Sequence, residues 1–184
     1  MAEVKQAKKT QKKEFFEVSV PMTSAKVMLF ASSQDELIGK FVRLDLTRSL
    51  RGKSLELKAK IKKEGNGLIG EPVSLELMGS FIRRMFRKGV DYVEDSFVAE
   101  CRDNKIIIKL FLITRNKVSR AIRKELRNRA KDFILGHLKI RDSHEVFTEI
   151  MTNKIQKELS LKLKKIYPLA LCEIRWFEIL EEKK

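Results

Sequence analysis

The chain has 184 residues, with 40 Lys and Arg against 25 Asp and Glu, a formal net charge of +15. Hydrophobic residues make up 43%, enough for a real core, so extensive disorder is excluded and one domain is the default for this length. No apolar run approaches 18 residues and the N-terminus has no apolar stretch after its charges, so neither membrane spanning nor secretion is expected.

Residues 1–13 are polar, with Lys5, Lys8, Lys9, Lys12 and Lys13 and almost nothing to bury. They are expected to be a disordered basic tail that orders against phosphates. Residues 14–184 then form a single domain. Glu14–Val20, with Phe15, Phe16, Val18 and Val20, reads as an edge strand that Pro21 ends. After a mixed segment, alternation from Phe41 to Leu46 predicts a strand. Ser54–Lys62 is the clearest period-two pattern, with Leu55, Leu57, Ala59 and Ile61 on one side and charges on the other.

A turn at Glu64–Gly67 leads to a strand around Leu68–Val73. Leu77, Met78, Phe81, Ile82, Met85 and Phe86 recur at helical spacing, so Glu76–Lys88 is predicted as an amphipathic helix that Gly89 stops. Its other face carries Arg83, Arg84 and Arg87, with Lys88 at its end. Asp91–Cys101 and Lys105–Thr114 flank Arg102-Asp103-Asn104 and read as a long hairpin, the second strand well buried.

Arg115–Lys131 is the most informative segment. It holds Arg115, Lys117, Arg120, Arg123, Lys124, Arg127, Arg129 and Lys131 against the single acid Glu125, a local +7. At about 100° per residue, Lys117, Arg120, Arg123, Lys124, Arg127 and Lys131 share roughly 120° of arc, beside an apolar arc of Val118, Ile122, Leu126, Ala130 and Phe133. Alternating signs would allow pairing within a helix; here they are absent. Beyond a break at Gly136 and Arg141-Asp142, Ser143 is a plausible N-cap for a helix to about Asn153. Lys154–Lys165 continues helically to Tyr167-Pro168, and Leu171–Leu180 closes the chain as a strand holding Trp176. Strands come first and helices cluster late, which defines an α+β fold with an antiparallel or barrel-like sheet, a middle helix, C-terminal helices and a closing strand.

Catalytic signatures are missing. Gly65-Asn66-Gly67-Leu68-Ile69-Gly70 matches G-x-G-x-x-G, but Glu71-Pro72 follows and no helix opens there, so a hairpin turn is favoured over a dinucleotide site. His137 and His144 lack a third metal ligand nearby, and Cys101 and Cys172 lack metal-type spacing and read as reduced thiols within strands. No catalytic role, cofactor or metal is assigned; only Asp91, Glu94 and Asp95 leave open a carboxylate cluster formed by folding. The chemistry lies in the basic strips, since guanidinium forks suit phosphate oxygens. Strips on several elements plus a lysine tail suit a folded RNA better than duplex DNA or a lipid surface. The aromatic residues Phe15, Phe16 and Trp176 lie in strand patterns, where core packing is favoured over base stacking.

Five segments in order carry a resemblance. They are Lys13-Glu14-Phe15-Phe16-Glu17-Val18-Ser19-Val20-Pro21-Met22, Leu37-Ile38-Gly39-Lys40 and Phe81-Ile82-Arg83-Arg84-Met85-Phe86-Arg87-Lys88, then Phe111–Arg115 running into Ser119–Lys124, and Lys164-Lys165-Ile166-Tyr167-Pro168-Leu169 before Glu173-Ile174-Arg175. From about Lys12 to Leu180 the chain resembles the archaeal and eukaryotic small-subunit ribosomal protein family written S-one-e, formerly S-three-Ae. A Trp-Tyr pair usual near the start is Phe15-Phe16 here. The resemblance implies a β-rich, barrel-like core with C-terminal helices and a non-catalytic, cytoplasmic role in the small-subunit platform, near the mRNA exit and the rRNA 3′ region. It implies small-subunit rRNA, neighbouring ribosomal proteins and mRNA near its exit as partners, and no membrane. The RNA contacts would be Lys5, Lys8, Lys9, Lys12, Lys13, Arg83, Arg84, Arg87, Lys88, Arg115, Lys117, Arg120, Arg123, Lys124 and Arg127. A free-standing RNA-binding regulator or chaperone is the alternative.

Overall fold

The computed structural model describes residues 12–23, 25–50, 53–65 and 67–180. Eight strands and four helices are found among them, in a mixed α+β arrangement. The strands are β1 (Glu14–Ser19), β2 (Lys26–Ala31), β3 (Phe41–Asp45), β4 (Leu55–Glu64), β5 (Gly67–Leu77), β6 (Tyr92–Glu100), β7 (Lys105–Thr114) and β8 (Leu169–Leu180). The helices are α1 (Gly79–Met85), α2 (Arg120–Leu138), α3 (Ser143–Met151) and α4 (Lys154–Leu163). Followed by hydrogen bonds, strand order is β2-β1-β5-β8-β7-β6, with β4 on β5 and β3 on β4. This path is open and does not close into a barrel. Nor is it purely antiparallel, because β1 meets β5 in parallel at Val18–Leu68 and Ser19–Ile69.

The chain divides into two compact units. In the first, residues 1–42 and 59–71, Val18, Ala31, Leu37, Ile61 and Leu68 form a small core, with Phe16, Leu29 and Val42 packed on it. β1 is not an edge strand: it pairs with β2 along its whole length, and β2 takes the edge. β2 had no clear sequence signal because Val27 and Leu29 face inward while Met28 and Phe30 face out, hiding the alternation. Phe15 also points outward, 66% exposed, with its ring 4.9 Å from that of Phe30, so the core packing expected of it does not occur. Phe16 is half-buried against the core. The glycine-rich segment makes the β4–β5 turn, where Gly65 takes φ +58°. Gly70 is closely approached, since a Cβ there would lie 3.0 Å from a Val20 methyl and 3.3 Å from the Ala59 Cβ.

The second unit, residues 43–58 and 72–184, carries the helices. β7 lies between β6 and β8, paired antiparallel with both, and Leu110–Thr114 are all buried. That is why its sequence is almost continuously apolar rather than alternating. Phe147 of α3 meets Phe177 of β8 edge-on at 4.7 Å, both fully buried. Between α3 and α4 the chain turns at Asn153 in the left-handed region (φ 59°), which asparagine tolerates better than most residues. The α3 N-cap is Asp142 rather than Ser143, which begins the helix and is held by its N–H to Asp103 Oδ2 at 3.2 Å. Trp176 is half-buried in β8 under the Lys109 ammonium, 5.0 Å from the ring centre.

A buried ionic junction ties three helical segments together. The Glu149 carboxylate of α3 is 8% exposed and receives His137 Nε2 of α2 at 2.8 Å, Lys154 Nζ of α4 at 3.0 Å and the Arg141 guanidinium. Burial alone would push this carboxyl up. The hydrogen bonds from His137 and Lys154, with the charge of Arg141, outweigh it and hold the group below its ordinary value. This junction fixes the C-terminal end of α2, and so the direction in which that helix presents its cations.

Candidate nucleic-acid interface

The predicted basic helix begins at Arg120, not at Arg115. Residues 115–119 are a loop because β7 continues to Thr114 and the next backbone groups are taken by side chains. The Thr114 hydroxyl donates to the Asn116 carbonyl at 2.7 Å, and Asp91 Oδ2 accepts the Val118 N–H at 2.9 Å. Ser119 then caps the helix, its hydroxyl accepting from the Ile122 N–H at 3.4 Å. Arg115 and Lys117 are therefore exposed on a pinned loop at the helix start rather than on its face. At the other end α2 runs past Gly136 to Leu138. A glycine inside a helix costs about 1 kcal/mol, and burial of Ile134 and Leu138 on either side offsets it.

Leu126, Ala130, Ile134 and Leu138 form the buried stripe, four residues apart, with Ile122 and Phe133 half-buried beside it. Each four-residue step advances about 40° around a helix, so the stripe spirals toward the cationic arc only near the C-terminus. The N-terminal two turns keep Arg120, Lys124 and Arg127 in solvent, and Arg123 lies half-buried at the stripe's border. Among the described residues, none of Arg115, Lys117, Arg120, Arg123, Lys124 and Arg127 makes an ion pair with a carboxylate. Several cations elsewhere do: Lys26, Lys40, Arg43, Lys62, Lys63, Lys105 and Arg175 each sit against Asp or Glu. The first turn of α2 has arginines at Arg120 and Arg123 and no acid. That opposes the usual preference, because the helix dipole already makes this end positive. Charge concentrated where a helix presents free N–H groups is suited to an anion.

The remaining predicted contacts are distributed. α1 is only seven residues long, since β5 extends to Leu77 and the backbone turns extended at Phe86. Arg83 and Arg84 are on it and exposed; Arg84 stacks on the Phe81 ring (5.7 Å) and donates to Ser54 Oγ at 3.3 Å. Arg87 and Lys88 lie beyond the helix, in a turn where Gly89 takes φ +88°. The predicted continuous strip on the middle helix is thus split between helix and turn. Lys12 and Lys13 are exposed in the first unit, with Lys13 Nζ 5.9 Å from the Phe30 ring centre. Lys5, Lys8 and Lys9 lie outside the described residues.

The carboxylates that left an enzyme open have other uses. Asp91 accepts from Val118, Glu94 holds Arg175 at 3.0 Å, and Asp95 accepts the Ser96 N–H. No group of three or more His, Cys, Asp or Glu side chains able to hold a metal is found among the described residues. His137 is committed to Glu149 and His144 is exposed. Cys101, just past the end of β6, and Cys172 in β8 are free thiols pushed up by burial to about 11 and about 12. Neither is primed as a nucleophile.

One cationic group was not foreseen. A depression of about 480 Å³ is lined by Arg129, Asp132 and Phe133 of α2 and by Lys162, Leu163, Lys165 and Ile166 at the end of α4. The only sequence signal was Arg129, which counts in the local charge but lies off the predicted arc. Lys162 and Lys165 join it through tertiary packing alone.

Fold and face together define a basic α+β protein with a polycationic helix whose N-terminal cations make no ion pair among the described residues. The family model described as the Ribosomal S3Ae family matches residues 2–183, and the chain belongs to that family. It is 26% identical over 159 residues to small ribosomal subunit protein eS1 of Nanoarchaeum equitans, spanning 84% of this chain and 80% of that protein. The eS1 protein of Methanothermobacter thermautotrophicus is 28% identical over 141 residues (73% and 72%), and that of Pyrobaculum islandicum 25% over 177 residues (92% and 80%).

Proposed function

We propose that this chain is a non-catalytic structural component of the small ribosomal subunit in the cytoplasm, binding rRNA through the N-terminal half of α2 and the loop before it. The observation that carries the reading is the set of cations Arg115 and Lys117 on the pinned loop and Arg120, Arg123, Lys124 and Arg127 on α2, beside the buried stripe of Leu126, Ala130, Ile134 and Leu138, none of these cations ion-paired among the described residues. Membership of the Ribosomal S3Ae family and the likeness to proteins named as small-subunit components support it. Arg83, Arg84, Arg87, Lys88 and the lysines Lys5, Lys8, Lys9, Lys12 and Lys13 add further phosphate contacts. A position on the platform, near the mRNA exit and the rRNA 3′ region and among neighbouring ribosomal proteins, is part of this reading, and the resemblance to the family supports it. Phosphate binding suits this geometry because arginine forks fixed on a helix lose little freedom on contact.

Sedimentation tests the reading. Tagged full-length protein is expected to remain with small subunits after a high-salt wash, and Arg120→Glu with Arg123→Glu is expected to abolish incorporation while leaving the isolated fold intact. A protein found mostly free of subunits would point to a free-standing RNA regulator instead. Normal incorporation of the double variant would remove α2 from the interface.

A further inference from the structure

We propose that α2 carries a second RNA-phosphate site on its far side, in the depression it shares with α4, so that one chain holds two separate RNA segments. This rests on the RNA-binding reading above and adds a distinct site to it. At about 100° per residue, Arg120, Arg123, Lys124, Arg127 and Lys131 centre on one direction of the helix, and Arg129 points roughly 170° away from it. Lys131, at the end of the first set, lies on the β6 side, its ammonium 5.6 Å from the ring centre of Phe97. The second direction faces α4, where Lys162 Nζ sits 4.2 Å from the centre of the Phe133 ring.

Going around α2 between the two sets, one route is the buried stripe of Leu126, Ala130 and Ile134. The other is an exposed ridge carrying Ala121, Glu125, Asn128, Asp132 and Gly136, with no cation and two carboxylates. A phosphate backbone tracking the first set would have to cross Glu125 and Asp132 to reach the second. The sets are therefore electrostatically separate sites rather than one broad surface.

The depression itself suits a phosphate backbone. Arg129, Lys162 and Lys165 converge on it, all three exposed, and among the described residues none of them, nor Asp132, makes an ion pair. Three cations against one carboxylate leave a net positive concavity, and concave walls focus the field of the charges that line them. Phe133, Leu163 and Ile166 give it an apolar floor, against which the Lys162 stem lies with its ammonium directed over the Phe133 ring. The ring face is thus already occupied, so the ligand recognised is the phosphate and ribose of an RNA strand rather than a stacked base.

A bridging assay tests this. A short RNA hairpin is immobilised on beads, loaded with full-length protein at a concentration where light scattering shows monomer, and offered the same hairpin carrying a fluorophore. Wild-type protein is expected to capture the fluorescent hairpin. The variant Arg129→Gln, Lys162→Gln, Lys165→Gln, checked for an unchanged thermal transition, is expected to bind the immobilised hairpin within about threefold of wild type, its α2 phosphate contacts being intact, yet to lose capture of the second. Equal capture by wild type and variant would overturn the second site. Displacement of the fluorescent hairpin by polyglutamate as readily as by unlabelled RNA would also overturn it, in favour of an acidic protein segment. Absence of any binding to the immobilised hairpin by wild type would instead strike the RNA-binding reading beneath it.

Discussion

Neutralising Arg120, Lys124 and Arg127 together, each to Gln, isolates the electrostatic contribution of the α2 face. All three are exposed, none is ion-paired among the described residues, and Gln has a helix propensity close to that of Arg and Lys, so the fold is left alone. If the six cations of the face and its loop each neutralise a phosphate, the slope of log affinity against log salt is about −5.4, taking the B-form duplex value of about 0.9 per contact. Raising salt from about 50 to 200 mM then weakens binding roughly 2,000-fold. Removing three contacts shallows the slope by about 2.7, so the variant loses about 40-fold less affinity over the same range. Contacts elsewhere on the chain add equally to both slopes and leave that difference unchanged. Fluorescence anisotropy with a labelled small-subunit rRNA hairpin, titrated at four salt concentrations, measures it. Parallel lines for wild type and variant would refute the phosphate assignment, whatever the absolute affinities.

The remaining predictions concern the scaffold. Glu149→Gln leaves His137, Arg141 and Lys154 around a neutral group and is expected to cost about 3 kcal/mol in urea unfolding at neutral pH. Because the native Glu149 carboxyl is held below its ordinary 4.5, its contribution is present above that pH and fades as pH falls through the native value. The gap between wild type and variant should therefore close in acid, and a constant gap would refute the junction's ionic character. Lys53→Met strands the Glu173 carboxylate, now 2.6 Å from Lys53 Nζ and 13% exposed, and should cost about 3 kcal/mol by the same measurement. Phe147→Ala, fully buried against Phe177, should lose about 4 kcal/mol.

What the sequence made legible was whatever depends on local period. The β6–β7 hairpin, the β4 alternation and the stripe beneath α2 were all readable, because burial on one face imposes its spacing on neighbouring residues. Boundaries were not. The loop 115–119 exists because Asp91, over twenty residues away, takes the Val118 N–H, and nothing near Arg115 announces that bond. The middle helix was overextended because the apolar residues at Leu77 and Phe86 fit a helical period while serving a strand end and a turn that packs on Tyr92 and Phe111. β2 was missed because half of its apolar residues face solvent. For the site, the α2 strip was visible as charge without countercharge, whereas the α2–α4 depression needed α4 to fold back across roughly thirty residues of sequence.

The α2 face also makes a claim about stability that runs opposite to its claim about function. Arg120–Lys124, Arg123–Arg127 and Arg127–Lys131 are like-charged at i,i+4, and Arg120–Arg123 and Lys124–Arg127 at i,i+3. Each such pair opposes the helix by about 0.2–0.5 kcal/mol, and cations in the first turn add to the dipole's unfavourable end. Replacing Arg120, Lys124 and Arg127 by Gln removes all five contacts, so the free protein should become more stable by about 1 kcal/mol, measured by urea unfolding at low salt. Saturating RNA should reverse the order. Ligand bound to the folded state stabilises by RT ln(1 + [L]/Kd), and at one hundred times Kd wild type gains about 2.7 kcal/mol that a weakly binding variant does not. A helix shaped by folding alone would show no such crossing, since its cations would already have been paired. A variant less stable than wild type both with and without RNA would mean that these side chains serve the fold, and the argument from their missing partners would be lost.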